Sequence, residues 1–80
     1  MLLKPVTSEK AVRLIDNENT LLFATARQAR KLEIKREVEA LFSVKVVAVR
    51  THIKQNQKLA YVRLAKEHPA ADIATKLGMI

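Results

Sequence analysis

Cysteine is absent from this chain, which removes disulfides, thiolate metal sites and cysteine nucleophiles together and fits a reducing compartment. Glycine occurs once, at Gly78, so no glycine-rich loop can cradle a phosphate. Tryptophan is also missing, and aromatics amount to 4% of the chain against 49% hydrophobic residues overall; the core must therefore be built from Val, Leu, Ile and Ala. No apolar run approaches the roughly 18 residues of a membrane span, and the opening M-L-L-K-P lacks the order of a signal peptide, so a cytoplasmic protein is expected. Eighty residues are enough for one domain, 1–80, near the lower limit for an independent core.

Acidic residues are scarce in one place above all. Between Glu39 and Glu67 there is none, while Lys45, Arg50, Lys54, Lys58, Arg63 and Lys66 all fall in that interval. The net charge is +7, and much of the excess lies here. Such a surface favours a polyanion, because each phosphate contact releases condensed counterions, and nucleic acid leads the candidates. The same stretch reads as two strands, V-K-V-V-A-V-R-T and K-L-A-Y-V-R-L-A, around the polar tip K-Q-N-Q at 54–57. A turn over those four residues pairs Ile53 with Lys58. It then places Val47 and Val49 with Val62 and Leu64 on the buried face, and Val46, Ala48, Arg50, Leu59, Tyr61 and Arg63 on the other.

The remaining chain supplies partners for that hairpin. Residues 1–6 suit a short edge strand ending near Pro5. Thr7 or Ser8 can cap a helix over 8–16, with Glu9 favoured by the helix dipole and Ala11, Val12 and Ile15 on the buried side. T-L-L-F-A-T-A at 20–26 reads as a central strand, since apolar residues occupy both parities. The spacing of Ile34, Val38, Leu41 and Phe42 predicts a helix over 30–42 with those residues buried. His68 and Pro69 open a last helix carrying Ala70, Ile73, Ala74 and Leu77, which Gly78 ends. The order is β-α-β-α-β-β-α, an α+β fold.

Catalytic material is thin. His52 and His68 have no carboxylate at metal-ligand spacing, and Glu33 and Glu37 lie among Lys and Arg as solvated ion-pair partners. No active site and no metal or cofactor is expected. Binding groups are better represented: Lys4, Lys10, Arg27, Arg30, Lys31, Lys35, Lys45, Arg50, Lys54, Lys58 and Arg63 are candidate RNA contacts. Tyr61, between Arg50 and Arg63, either stacks on an unpaired base or packs against Val46. A single aromatic on the sheet is fewer than the common RNA-recognition module uses, so shape and backbone contacts must dominate.

Taken together, K-P-V-T-S-E-K-A at 4–11, E-I-K-R-E-V-E-A-L-F at 33–42, V-K-V-V-A-V-R-T at 44–51 and K-L-A-Y-V-R-L at 58–64 resemble the large-subunit ribosomal protein twenty-three family. D-I-A-T-K-L-G at 72–78 looks like its archaeal short form. The resemblance implies a four-stranded antiparallel sheet and a structural role: binding large-subunit ribosomal RNA at the rim of the polypeptide exit tunnel, beside neighbouring ribosomal proteins. It further implies docking of the signal recognition particle and the protein-conducting channel, with Glu9, Phe42 and Ser43 as docking residues and no small-molecule substrate or membrane insertion. Spacing from Val38 favours burial of Phe42. Three departures stand out: Ser43 replaces an acidic residue common in bacterial members, Arg30 replaces a small hydroxyl near the second helix's start, and the hairpin tip is short. The tip is thus expected to bind RNA without lining the tunnel. The competing readings are a free-standing RNA- or DNA-binding domain and, from the enzyme class, a small hydrolase or nuclease using Glu33 or Glu37.

Overall fold

The computed structural model describes residues 3–78 and runs β1 (Leu3–Pro5), α1 (Glu9–Glu18), β2 (Thr20–Thr25), α2 (Lys31–Phe42), β3 (Val46–Lys54), β4 (Gln57–Leu64) and α3 (Ala70–Lys76). The first two residues of the strand read over 1–6 lie outside the described residues. The element order is the one expected, and the four strands form one antiparallel sheet in the order β1-β2-β4-β3. β2 and β3 therefore run parallel with β4 between them, and α2 makes the crossover.

β2 is central, as its two-sided apolarity implied: Leu21, Leu22 and Phe23 are all buried. Leu21 and Phe23 join Ala60, Val62 and Leu64 of β4 on the face covered by Ile34 and Val38 of α2 and Ala70, Ile73 and Ala74 of α3. Leu22 points the other way and packs with Leu59, Tyr61, Ala11 and Leu14. β1 pairs only with residues 23–25 of β2, and α1 packs on β2 with side chains in both clusters, Ile15 in the larger and Leu14 in the smaller. Leu14 was absent from the expected buried set, whereas Val12 is only half-buried.

Two further expectations are corrected. The hairpin closes as predicted, with Ile53 opposite Lys58 and Val49 opposite Val62, but a β-bulge between Val46 and Ala48 turns the start of β3 over. Val46 is buried at 2% exposure and Val47 is 61% exposed, the reverse of the unbulged reading, because one extra residue shifts the side-chain parity. The bulge is held by Glu39, whose Oε2 accepts from the Val46 N–H at 3.0 Å. Leu41 is also exposed, at 48%, since in the last turn of α2 the packing against the core is made by Phe42 instead. Phe42 itself is half-buried against the core.

Helix ends were partly legible. Ser8 caps α1 by accepting from Ala11 N–H at 3.1 Å. Arg30 precedes α2 and has no acceptor to offer, so only the reciprocal half of a capping box forms, Glu33 Oε1 accepting from Arg30 N–H at 3.0 Å. Asn19 and Ser43 close α1 and α2 with φ of 51° and 53°, the left-handed conformation that stops a helix. Asn19 also reaches across the molecule. Its Nδ2 donates to the carbonyls of Leu64, Ala65 and His68 at 3.1, 3.1 and 3.2 Å, and its Oδ1 accepts from Ala70 N–H at 2.6 Å. It thereby caps α3, whose own preceding residue, Pro69, has no side-chain hydrogen bond to give.

Candidate nucleic-acid interface

Ladder partners place side chains in rows on the sheet face that carries Leu22 and Tyr61. One row runs Lys4, Ala24, Leu59, His52; the next Leu22, Tyr61, Arg50; the third Thr20, Arg63, Ala48. Arg50 and Arg63 thus flank Tyr61 on one surface, in agreement with the hairpin register read from sequence. Tyr61 is half-buried, but its packing partners are Leu22, Ala11 and Leu14, not Val46, which the bulge assigns to the opposite face. The Arg50 guanidinium carbon lies 5.5 Å and the Lys10 Nζ 5.7 Å from the ring centroid, within range of cation–π attraction. Lys10 comes from α1, so the helix adds a cation that the hairpin alone lacks.

Beside the ring are two adjoining clefts. The larger, of about 370 Å³, is lined by Lys10, Leu14, Glu18, Arg50, His52 and Tyr61. The smaller, of about 230 Å³, is lined by Glu18, Thr20, Ala48, Arg50, Tyr61 and Arg63. Glu18 belongs to both and approaches Arg50 at 3.9 Å; it was not among the residues singled out in the sequence.

The other candidate cations are distributed around β3 and the hairpin tip. Lys31 and Lys35 of α2 border a shallow groove with Leu32, Val47 and Val49, on the far side of β3 from Arg50. Lys45 precedes the strand and Lys54 ends it, both exposed. The tip is a two-residue turn in which Gln55 and Asn56 have φ of 52° and 64°, the pattern of a type I′ hairpin. Lys58 is different in kind. It sits half-buried opposite Ile53 and donates to Ala29 O at 2.6 Å and Arg27 O at 3.4 Å, tying the loop between β2 and α2 to the hairpin. Arg27 reciprocates with a 3.5 Å bond to Asn56 Oδ1. Arg30 is exposed at the start of α2.

Of the three expected docking residues, Phe42 and Ser43 share a cleft of about 310 Å³ with Val44, Glu67, His68, Pro69, Asp72, Ile73 and Lys76. Glu9 is not brought to it. It lies in the first turn of α1, paired with Arg13 at 2.7 Å, about 15 Å of helix from the Asn19 end that contacts His68.

The family profile described as Ribosomal protein L23 matches residues 1–71. The chain belongs to that family. It is 46% identical over 80 residues to the large ribosomal subunit protein uL23 of Methanothermobacter thermautotrophicus, covering 99% of this chain and 93% of that protein. It is 47% identical over 77 residues to the large ribosomal subunit protein uL23B of Caenorhabditis elegans, covering 95% of this chain and 53% of that one, so it spans about half the length of the nematode protein. In this L23-family chain the matched span ends just inside α3, and the whole sheet with its basic face falls within it. Among the described residues no cluster of three or more His, Asp or Glu is placed to hold a metal, and no helix is long and apolar enough to cross a membrane.

Two residues of consequence escaped the sequence reading. Asn19 fell between the helix expected over 8–16 and the strand expected over 20–26, and nothing local signals that its amide reaches residues 45 to 51 positions away. Glu18 carried no signal of its own, because its place beside Tyr61 depends on how α1 crosses the sheet.

Proposed function

We propose that this chain is a structural constituent of the cytoplasmic large ribosomal subunit and that it binds large-subunit ribosomal RNA with the sheet face centred on Arg50, Tyr61 and Arg63. The observation that carries this reading is the juxtaposition of Lys10, Arg50 and Arg63 around one aromatic ring, in a family whose relatives are large-subunit proteins. Cations set close together on a rigid sheet neutralise phosphates without having to be ordered first, and a ring among them offers a stacking platform. Lys4, Arg27, Arg30, Lys31, Lys35, Lys45 and Lys54 extend the phosphate-binding surface over three sides of the hairpin, while Lys58 contributes by fixing the loop that presents Arg27. The single domain, 1–80, acts at the rim of the polypeptide exit tunnel beside neighbouring ribosomal proteins, and its two-residue tip touches RNA without entering the lumen. The cleft at Phe42 and Ser43 and, separately, Glu9 dock the signal recognition particle and the protein-conducting channel.

Charge reversal of Arg50, Lys54 and Arg63 together tests the reading. The variant is expected to fold, since all three are exposed, yet to be missing from large subunits on sucrose gradients. Normal incorporation refutes it.

A further inference from the structure

We infer that the cleft beside Tyr61 is a pocket for one unpaired guanine of the bound RNA, read by the Glu18 carboxylate; the inference rests on the RNA-binding role proposed above and names what that surface selects. A carboxylate is out of place on a phosphate-binding face, where it repels the ligand, unless it has a donor to accept from. Glu18 lies between the two clefts and shares their walls with Tyr61 and Arg50. Its ion pair with Arg50, at 3.9 Å and with side chains 50% and 68% exposed, is too long and too solvated to explain its position.

Guanine is the base whose Watson–Crick edge offers two adjacent donors, N1–H and the exocyclic amine, which match the two oxygens of a carboxylate. Adenine and cytosine offer only an amine beside an acceptor, and uracil one imide N–H. The larger cleft, about 370 Å³, has room for a purine with solvent, and Tyr61 provides the flat apolar wall against which it stacks. Arg50 and Lys10, already poised near the ring, cover the base or hold its ribose phosphate. The adjoining cleft brings Arg63 and Arg50 together for the next phosphate. The carboxylate is carried on a fixed support: the Glu18 carbonyl accepts from Thr20 Oγ1 at 2.9 Å, and the next residue, Asn19, is anchored to three carbonyls. A site on such a support discriminates better than one on a loose loop.

The chain reports on this pocket by itself, since Tyr61 is the only tyrosine and there is no tryptophan. The intact 80-residue protein is titrated with short single-stranded oligoribonucleotides differing at one central base, following tyrosine fluorescence corrected with free tyrosine amide and, in parallel, anisotropy of end-labelled RNA. Guanine is expected to quench Tyr61 and to bind about tenfold tighter than adenine, as for a bidentate base contact. Inosine, which lacks the exocyclic amine, should fall between them. Glu18→Gln should lower guanine binding to the level of adenine, because one of the two oxygens that accept from guanine is lost, while adenine binding is not weakened. Binding with equal quenching by all bases, or a guanine preference that survives Glu18→Gln, overturns the pocket while leaving the RNA-binding role in place. No binding to any oligonucleotide overturns both.

Discussion

Replacing Asn19 with alanine tests how much of this fold hangs on one side chain. The substitution removes the Oδ1 acceptor from the Ala70 N–H, and Ala70 is fully buried, so that amide loses its partner at a cost of about 1–3 kcal/mol. It also removes the donor shared among the Leu64, Ala65 and His68 carbonyls, a net loss of about 1 kcal/mol because Ala65 O keeps the His68 N–H. Alanine must then hold φ of 51°, which costs roughly 1 kcal/mol more than asparagine does. The total is about 3–5 kcal/mol, a third or more of the stability of a domain this small. Thermal unfolding followed by circular dichroism should show a fall in Tm of about 15–30 °C. Two companions divide the loss. Asn19→Gly relieves the backbone and should recover about 1 kcal/mol relative to alanine, whereas Asn19→Asp keeps the acceptor but turns an anionic oxygen toward three carbonyls and should be no better than alanine. An alanine variant melting within a few degrees of the parent, or an aspartate variant as stable as asparagine, refutes the reasoning.

Other substitutions probe the hairpin and its charge. Val46→Ala should cost about 2 kcal/mol and Val47→Ala less than about 0.5 kcal/mol in urea unfolding, an asymmetry that reverses if the bulge is absent. Gln55→Asn with Asn56→Gly suits both positive-φ positions of the turn and should raise stability by about 0.5–1 kcal/mol, read as a higher Tm. Lys58→Met should destabilise the loop between β2 and α2, with faster amide exchange around Ala29, while Arg63→Met should leave exchange unchanged and lower the salt slope of RNA binding by about 0.7 per cation removed. Arg30→Ser supplies the missing cap on α2 and should stabilise it by up to about 1 kcal/mol in thermal melts.

What the sequence disclosed and what it withheld divide along the range of the interaction. The helices at 30–42 and 68–78 and the strand at 20–26 follow from spacing within a few residues, and the Ile53–Lys58 register from a turn of four. Parity around Val46 and Val47 failed because a bulge depends on Glu39 reaching back from α2, a contact that leaves no local mark. Leu41 failed because periodicity says which residues share a helix face, not how far the covering elements extend. For the binding surface, the acid-free stretch located Arg50, Tyr61 and Arg63 correctly as neighbours. Lys10 and Glu18 joined them only through the packing of α1, and Lys58 proved to be bonded to two carbonyls rather than lying free on that surface.

The place of β4 in the sheet has a consequence for how the chain acquires its structure. β2 and β3 share no ladder; every sheet bond between the first half of the chain and the hairpin passes through β4, the last strand to be made. The local step, closing a two-residue turn, can precede everything else, on a timescale of about 1–10 μs. The slow step is docking of the finished hairpin, through β4, onto the free edge of β2, which brings together residues some 40 apart, such as Leu21 and Val62, and carries the loop entropy of that separation. Until then β2 has only the short β1 to pair with, and Asn19 has none of its distant partners. During synthesis the first 56 residues have no sheet larger than two strands to join, so the domain locks as one event once residues up to Ala70 are free to reach Asn19.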